Sequence, residues 1–374
     1  MNNEFYINNN NNNTNNIEIN VPLQERIKRC NEDFQKVSKI VKKLDNKLKK
    51  MEVLYKNINN NFYRYLKRKD NPSKYAYVTI IFCDAKYISS ILVAGNYLKN
   101  IIKTKYDLVC LVQDRPYYEV DISGESYLKF PGLSNDEIDS IKKIYDVVIG
   151  IDLLKVNIQE RSEWDLLPRY MKLPYYCTKI MVLGLIEYSK LIYFDSTALI
   201  YKNIDYLFDN YNKSTYRLDY SETLYGLKRG LVGNFYMFVP KIYYVYKGID
   251  ILSNYHSIFG NRITCFTKDE DIIFYSIHPH WNDKLLDPNL FKVNNIRLPY
   301  FESKKKDNQY SVELYMGLKP FLYPNNDECL ERDMYNNNNN CYYEWDLCTK
   351  NLLINYPSFK KYFEFIKTFR YVEF

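Results

Sequence analysis

In the stretch LIYFDSTALIYKNIDYLFD (Leu191 to Asp209) an apolar run ends on one carboxylate, Asp195, and a Ser-Thr pair follows. A carboxylate set directly after a buried strand stands at the edge where open α/β sheets bind their ligands. There it can hold a divalent cation, which in turn neutralises a diphosphate leaving group. The position where a second carboxylate would complete such a site is Thr197. A lone aspartate at a strand end also has a plainer use, capping a turn or a helix N-terminus, and its neighbours must decide between the two.

Other residues capable of chemistry point to less. The eight cysteines (Cys30, Cys83, Cys110, Cys177, Cys265, Cys329, Cys341, Cys348) never fall at the C-x2-C spacing of zinc sites, so they read as free buried thiols. Of the three histidines, His278 and His280 flank Pro279, which extends the backbone between them. No cysteine or carboxylate cluster joins them, and the case for a metal there is weak.

The elements that must position Asp195 are legible from Tyr77 onward. YVTIIFC (77 to 83) reads as a strand, YISSILVAGNYLKNII (87 to 102) as a helix and DLVCLV (107 to 112) as a second strand. SNDE (134 to 137) has capping-box spacing before a helix ending near Tyr145, and DVVIGI (146 to 151) is a third strand. A helix over CTKIMVLGLIEY (177 to 188) then leads into the strand LIYF (191 to 194). Short apolar strands alternating with helices predict an α/β fold with a mainly parallel sheet covered on both faces.

With these elements placed, TKIMVLGLIEYSKLIYFDSTALIYKNIDYLFD (178 to 209) resembles the signature of glycosyltransferase family 8, the glycogenin-like retaining enzymes of GT-A fold. In that family T-K-L leads to a strand ending in D-x-D and then to L-V-x-x-N-I-D-x-L-F. YVTIIFCDAKYISSILVAG (77 to 95) is similar to the family's first strand and helix, and YMGLKPFLYP (315 to 324) to its late H-x-x-G-L-K-P-W segment. The matches run in the family's order from Tyr77 to Pro324.

The resemblance implies a GT-A (Rossmann-like) nucleotide-diphospho-sugar transferase: a hexosyltransferase taking a UDP-sugar and passing the sugar, with retention, to an acceptor hydroxyl. Carried over position by position, Phe82 and Tyr87 line the uracil and ribose, and Lys179 lies near the nucleotide sugar. Asp195 is the first D-x-D carboxylate and metal ligand, while Gly317 and Lys319 belong to a loop that closes on the diphosphate. Asp269 and Glu270 match an Asp-Gln pair facing donor sugar and acceptor, with Glu270 in place of Gln, and together with Lys179 are the catalytic residues the resemblance implies. GNFYMFVP (233 to 240) resembles the family's F-N-x-G-x-x-V strand with Gly and Asn out of register, which leaves Asn234 little support.

The departures fall on the metal. Thr197 occupies the second D-x-D position, and Leu314 stands in place of the histidine that completes the metal shell. Hard divalent cations need several oxygen donors, so Mn²⁺ or Mg²⁺ is expected to be weakly held, by Asp195 with at most a weak Thr197 contribution. Lys179 and Lys319 then remain as point charges for a departing diphosphate. Two functions stay open: an active glycosyltransferase, or a degenerate relative that binds a nucleotide sugar or acts through a coiled coil.

The bulk numbers bound the rest. At 374 residues and 46% hydrophobic the chain can bury a large core, and no apolar window is long enough to span a membrane. With no secretory signal at the N-terminus, a cytoplasmic location is expected. The net charge of +7 is concentrated in residues 22–70, which hold fifteen Lys/Arg against six Asp/Glu. Nucleic-acid binding is not expected, because the basic excess lies outside the α/β region and no helix-turn-helix or RNP-like element appears.

Four regions result: a disordered Asn-rich tail (1–21), a basic heptad helix (22–70), the transferase-like domain (71–325) and a helical C-terminal extension (326–374). In the heptad helix Ile27, Cys30, Phe34, Val37, Val41, Leu44, Leu48, Met51, Tyr55, Ile58 and Phe62 alternate three and four apart. That seam predicts a long coiled coil and a homo-oligomer through residues 22–62, although it could also fold back on the main domain. Its lysine flanks read as a solvated face or as a patch for anionic partners.

Overall fold

A computed structural model describes residues 31–43, 63–83, 85–120, 123–154, 177–223, 226–253, 290–294, 311–315 and 340–363, with a few single residues between them. The chain divides into two units, Met1–Lys56 and Asn57–Phe374. In the first, residues 31–43 are helical. The helix carries the surface pair Lys36–Asp33 at 3.1 Å and leaves the seam residues Phe34, Val37 and Val41 more than half exposed.

The second unit is a mixed α/β structure with a seven-stranded sheet in the order β1 (Arg64–Lys67), β6 (Val147–Ile151), β3 (Asp107–Gln113), β2 (Tyr75–Ile81), β7 (Lys190–Phe194), β10 (Gly226–Phe238), β9 (Thr215–Thr223). Its centre is parallel: β2 (Tyr75–Ile81) lies between β3 (Asp107–Gln113) and β7 (Lys190–Phe194), and β6 (Val147–Ile151) lies beyond β3. These strands are short runs rich in β-branched and aromatic side chains, as strands buried on both faces require. Alternate residues go to opposite cores. Tyr77, Ile81, Cys110, Val112, Ile192 and Phe194 pack with helices α1 (Ile88–Asn96) and α2 (Asn135–Ile144). Ala76, Val78, Ile80, Val109, Leu191 and Tyr193 pack with the 3-10 helix Cys177–Gly184.

Helix α2 starts at the expected capping box: the Ser134 hydroxyl accepts from the Glu137 amide, and the Glu137 carboxylate accepts from the Ser134 amide. Helix α1 runs on into a π-helical turn, Tyr97–Ile101. The remaining helices are a short α3 (Leu207–Asn210), α4 (Ile242–Ser253) and α5 (Asn340–Asn355). Trp345, Leu352, Phe359 and Phe363 join the α1–α2 core, so these C-terminal aromatics are interior residues. The exposed hairpin β4 (Tyr117–Val120) and β5 (Ser126–Phe130) occupies the segment between β3 and α2.

Two expectations need correction. Residues Arg64–Lys67, inside the range read as heptad helix, form β1, antiparallel to β6 with Arg64 opposite Gly150. The seam therefore stops short of Arg64: Tyr63 is buried and donates to the Met181 carbonyl at 2.6 Å, and the Arg64 guanidinium grips Asp114 at 2.5 Å and Asp152 at 2.9 Å. The helix read over 177 to 188 is a 3-10 segment ending at Gly184. A Cβ on Gly184 would stand 2.4 Å from the Tyr63 hydroxyl oxygen, so this segment lies tight against the chain that leads into β1. The centre of the sheet is parallel, as expected, and its edges are antiparallel: β10 (Gly226–Phe238) pairs antiparallel with both β7 and β9 (Thr215–Thr223). The short β9–β10 connection leaves no room for the crossover that a parallel pair needs.

Where α1 meets the end of α2 the approach is set by Gly95, on which a Cβ would lie 2.8 Å from Ile144 Cγ2 and from the Tyr145 ring. Gly95→Ala is expected to destabilise the domain by about 1–3 kcal/mol through overpacking, read as a lower urea midpoint at unchanged slope.

Candidate functional site

From β2 the chain moves to β3 and β6 on one side, then returns to place β7 on the other. The gap between the carboxyl ends of β2 and β7 is therefore the switch point of the sheet, where ligands of open α/β folds enter. Phe82 and Cys83 follow β2, and Asp195 follows β7. Cys83 has φ of 61°, a left-handed backbone uncommon outside glycine, and its amide is held by Gln113 Oε1 at 2.9 Å. Phe82 is half-buried against the core on the Tyr193 side, and Tyr87 packs half-buried at the start of α1 on the other.

Asp195 is buried at the centre of a polar cluster. Its Oδ2 accepts from Lys179 Nζ at 2.7 Å and from the Tyr193 hydroxyl at 3.1 Å. Its Oδ1 accepts from Ser196 Oγ at 3.1 Å, the Thr197 amide at 3.2 Å and Thr197 Oγ1 at 3.3 Å. The bond from the amide two residues on is an Asx turn, so the plainer role of a strand-end aspartate is present as well. Lys179 reaches the carboxylate from the 3-10 helix Cys177–Gly184, and both side chains of the pair are about 85% buried.

Antiparallel pairing of β10 with β7 supplies the next residue. The Asp195 amide donates to the Asn234 carbonyl at 2.8 Å, and Asn234 Nδ2 donates to Thr197 Oγ1 at 2.5 Å. Ser90 of α1 donates to the Ser196 carbonyl, tying the same turn to the other layer. After the turn, β8 (Ala198–Ile200) leaves the main sheet and pairs with β12 (Val312–Tyr315), which pairs in parallel with β11 (Phe291–Asn294). Leu314 is the register partner of Ala198, one residue from Thr197.

The cluster thus joins Lys179, Asp195 and Thr197 directly and places Phe82 and Tyr87 around the same switch point. Asp269, Glu270, Gly317 and Lys319 lie outside the described residues, as do His278 and His280. Two participants carried little or no weight in the sequence. Asn234 was displaced from its pattern by register, which only the β7–β10 ladder resolves. Tyr193 was legible in retrospect, because residues two apart on a strand share a face and Tyr193 precedes Asp195 by two.

A divalent cation fits this arrangement poorly. Among the described residues no group of three or more His, Cys, Asp or Glu gathers as ligands. Both oxygens of Asp195 are engaged, Thr197 Oγ1 is held between Asp195 and Asn234, and leucine at 314 has no ligand atom. The cation already at the carboxylate is the Lys179 ammonium.

No family model matches the chain. A curated relative, the uncharacterized protein R707 of Acanthamoeba polyphaga mimivirus, is 36% identical over 138 residues, covering 36% of this chain and 40% of that protein. Among the solved structures similar to this chain are three glycosyltransferases. One is GlyE of Streptococcus pneumoniae TIGR4, with 13% identity, 76% of this chain and 64% of that one covered, and a TM-score of 0.42. The galactosyltransferase LgtC in complex with donor and acceptor sugar analogs shows 13% identity, coverage of 70% and 94%, and a TM-score of 0.43. The bifunctional glycosyltransferase WbbM shows 12% identity, coverage of 72% and 51%, and a TM-score of 0.42. Likeness at this distance assigns no activity, and the match to R707 and GlyE spans less than two thirds of either protein.

The buried pair yields its own test. Lys179→Met would remove the ammonium paired with the buried Asp195 carboxylate, at an expected loss of roughly 3 kcal/mol. Adding Asp195→Leu should recover most of that loss. Chemical denaturation of both single variants and the double variant measures the coupling, and purely additive losses would mean the two residues do not act as a pair.

Proposed function

We propose that this protein is a glycosyltransferase that takes a UDP-sugar at the carboxyl edge of its sheet and passes the sugar to an acceptor hydroxyl. The observation that carries this reading is the switch point itself. Phe82 and Tyr87 stand beside β2, and Lys179, Asp195, Thr197 and Asn234 are locked together beyond β7. A base against aromatic side chains and a diphosphate near the β7 turn would lie across this gap in one direction. Lys319, with Gly317, is assigned to the diphosphate from its place in YMGLKPFLYP, and Asp269 and Glu270 to donor sugar and acceptor. A fixed ammonium near the leaving group stabilises developing charge without reorganisation, the largest single contribution available to such a site. Retention of configuration is what the resemblance to glycosyltransferase family 8 implies.

A second reading, a nucleotide-sugar-binding or interaction protein without transfer activity, is favoured by Thr197 and Leu314 at two ligand positions. A panel of UDP-sugars separates the two. Transfer predicts a raised melting temperature with one donor and release of UDP that falls at least about tenfold in Asp195→Asn and Lys319→Ala. A raised melting temperature without UDP release supports the second reading, and no thermal response to any donor sinks the first.

The heptad seam is proposed to assemble copies of the chain through residues 22–62, since Phe34, Val37 and Val41 are uncovered within a single chain. Sedimentation of the full chain should report an oligomer that becomes monomeric when residues 1–56 are deleted, a boundary that spares β1. An unchanged mass would dispose of the assembly.

A further inference from the structure

We infer that Lys179 closes Asp195 to divalent cations, so that the site engages a nucleoside diphosphate without a metal at this carboxylate. The second half of that statement rests on the function proposed above; the first half rests on Asp195 alone. A carboxylate offers about four lone-pair positions, and here five donor contacts converge on its two oxygens. A hard cation takes six or more oxygen ligands, so binding would require it to replace Lys179 Nζ at 2.7 Å and to sit beside the displaced ammonium.

Among the described residues the neighbouring positions offer no compensation. Thr197 Oγ1 donates toward Asp195 and accepts from Asn234 Nδ2, which commits its hydrogen and one lone pair. Across the β8–β12 ladder the adjacent register position is leucine. The turn occupies the other carboxylate oxygen, since Ser196 Oγ and the Thr197 amide both donate to Oδ1. The ammonium and the carboxylate thus form a closed unit in which lysine supplies the fixed positive charge that a bound metal would otherwise bring.

Two measurements on the full chain decide it. In the first, the electron paramagnetic resonance signal of free Mn²⁺ is followed during titration with protein alone. The wild type is expected to leave the signal unchanged, whereas Lys179→Gln, which keeps a hydrogen bond but removes the charge, should show weak uptake at high Mn²⁺ that Lys179→Gln/Asp195→Asn loses. Uptake by the wild type that disappears in Asp195→Asn overturns the inference, and this comparison stands even if the Lys179 variants do not fold. Uptake that survives Asp195→Asn belongs to another site and leaves the closure of Asp195 intact. In the second, the dissociation constant for UDP is measured calorimetrically in EDTA and in Mn²⁺, with less than about twofold change expected. Binding that vanishes in EDTA and returns with Mn²⁺ overturns the metal-free engagement. Failure to bind UDP in either condition refutes the proposed function instead, while the Mn²⁺ titration still decides whether Asp195 is closed.

Discussion

Strand β2 is hydrogen-bonded on both sides to parallel neighbours, and that arrangement fixes nearly everything else in the domain. Parallel neighbours cannot be joined by a tight turn, so each connection must cross a face of the sheet and deposit a helix or loop there. Because the first crossovers carry the chain to β3 and β6 and a later one brings it back to β7, the connecting segments diverge and leave a gap above β2 and β7. The alternation of Tyr77, Ile81 with Ala76, Val78, Ile80 divides the interior into two cores with the gap at their common edge. Everything proposed about chemistry uses that edge.

At the edge, one buried ion pair organises the polar groups. Lys179 and Asp195 come from different elements, and each offsets part of the cost of burying the other's charge. Held at 2.7 Å, the pair fixes the turn Asp195–Thr197, which in turn aims β8 away from the main sheet toward β12. A residue that a pattern match assigns to metal binding is thus also the keystone of a turn. The two roles compete for the same oxygen lone pairs, and the geometry gives them to the turn and the lysine.

The fold was largely legible because its strongest signals are local. The apolar strands, the Ser134–Glu137 capping box and the carboxylate after LIYF all depend on residues within a few positions of one another. What was missed depends on pairing across the sheet. Nothing in RYLK shows that Arg64–Lys67 will add to β6, because the strand is fixed by the Asp114 and Asp152 carboxylates, far along the chain. The periodic pattern before it favoured a continuing helix until Tyr63 found a partner at Met181. At the site, Asp195 and Lys179 were identified from their motif, but their mutual contact and the arrival of Asn234 required the register of β7 against β10. The segments holding Asp269, Glu270 and Lys319 lie outside the described residues.

The abundance of tyrosine, 40 residues in all, has a role in the interior that composition did not suggest. Tyr77 donates to Asp205 at a separation of 128 positions, Tyr63 to Met181 at 118 and Tyr145 to Ile91 at 54. Burial together with Asp205 raises the Tyr77 phenol well above its usual range, so the group stays protonated and keeps donating. These hydroxyls act as stitches between segments that synthesis delivers far apart in time. Each stitch contributes only after a long loop has closed, and loop closure must be met before the bond is gained. The domain is accordingly built to fold slowly, with its central strand waiting for β7 and the Tyr63 and Tyr77 phenols waiting for partners more than a hundred residues downstream.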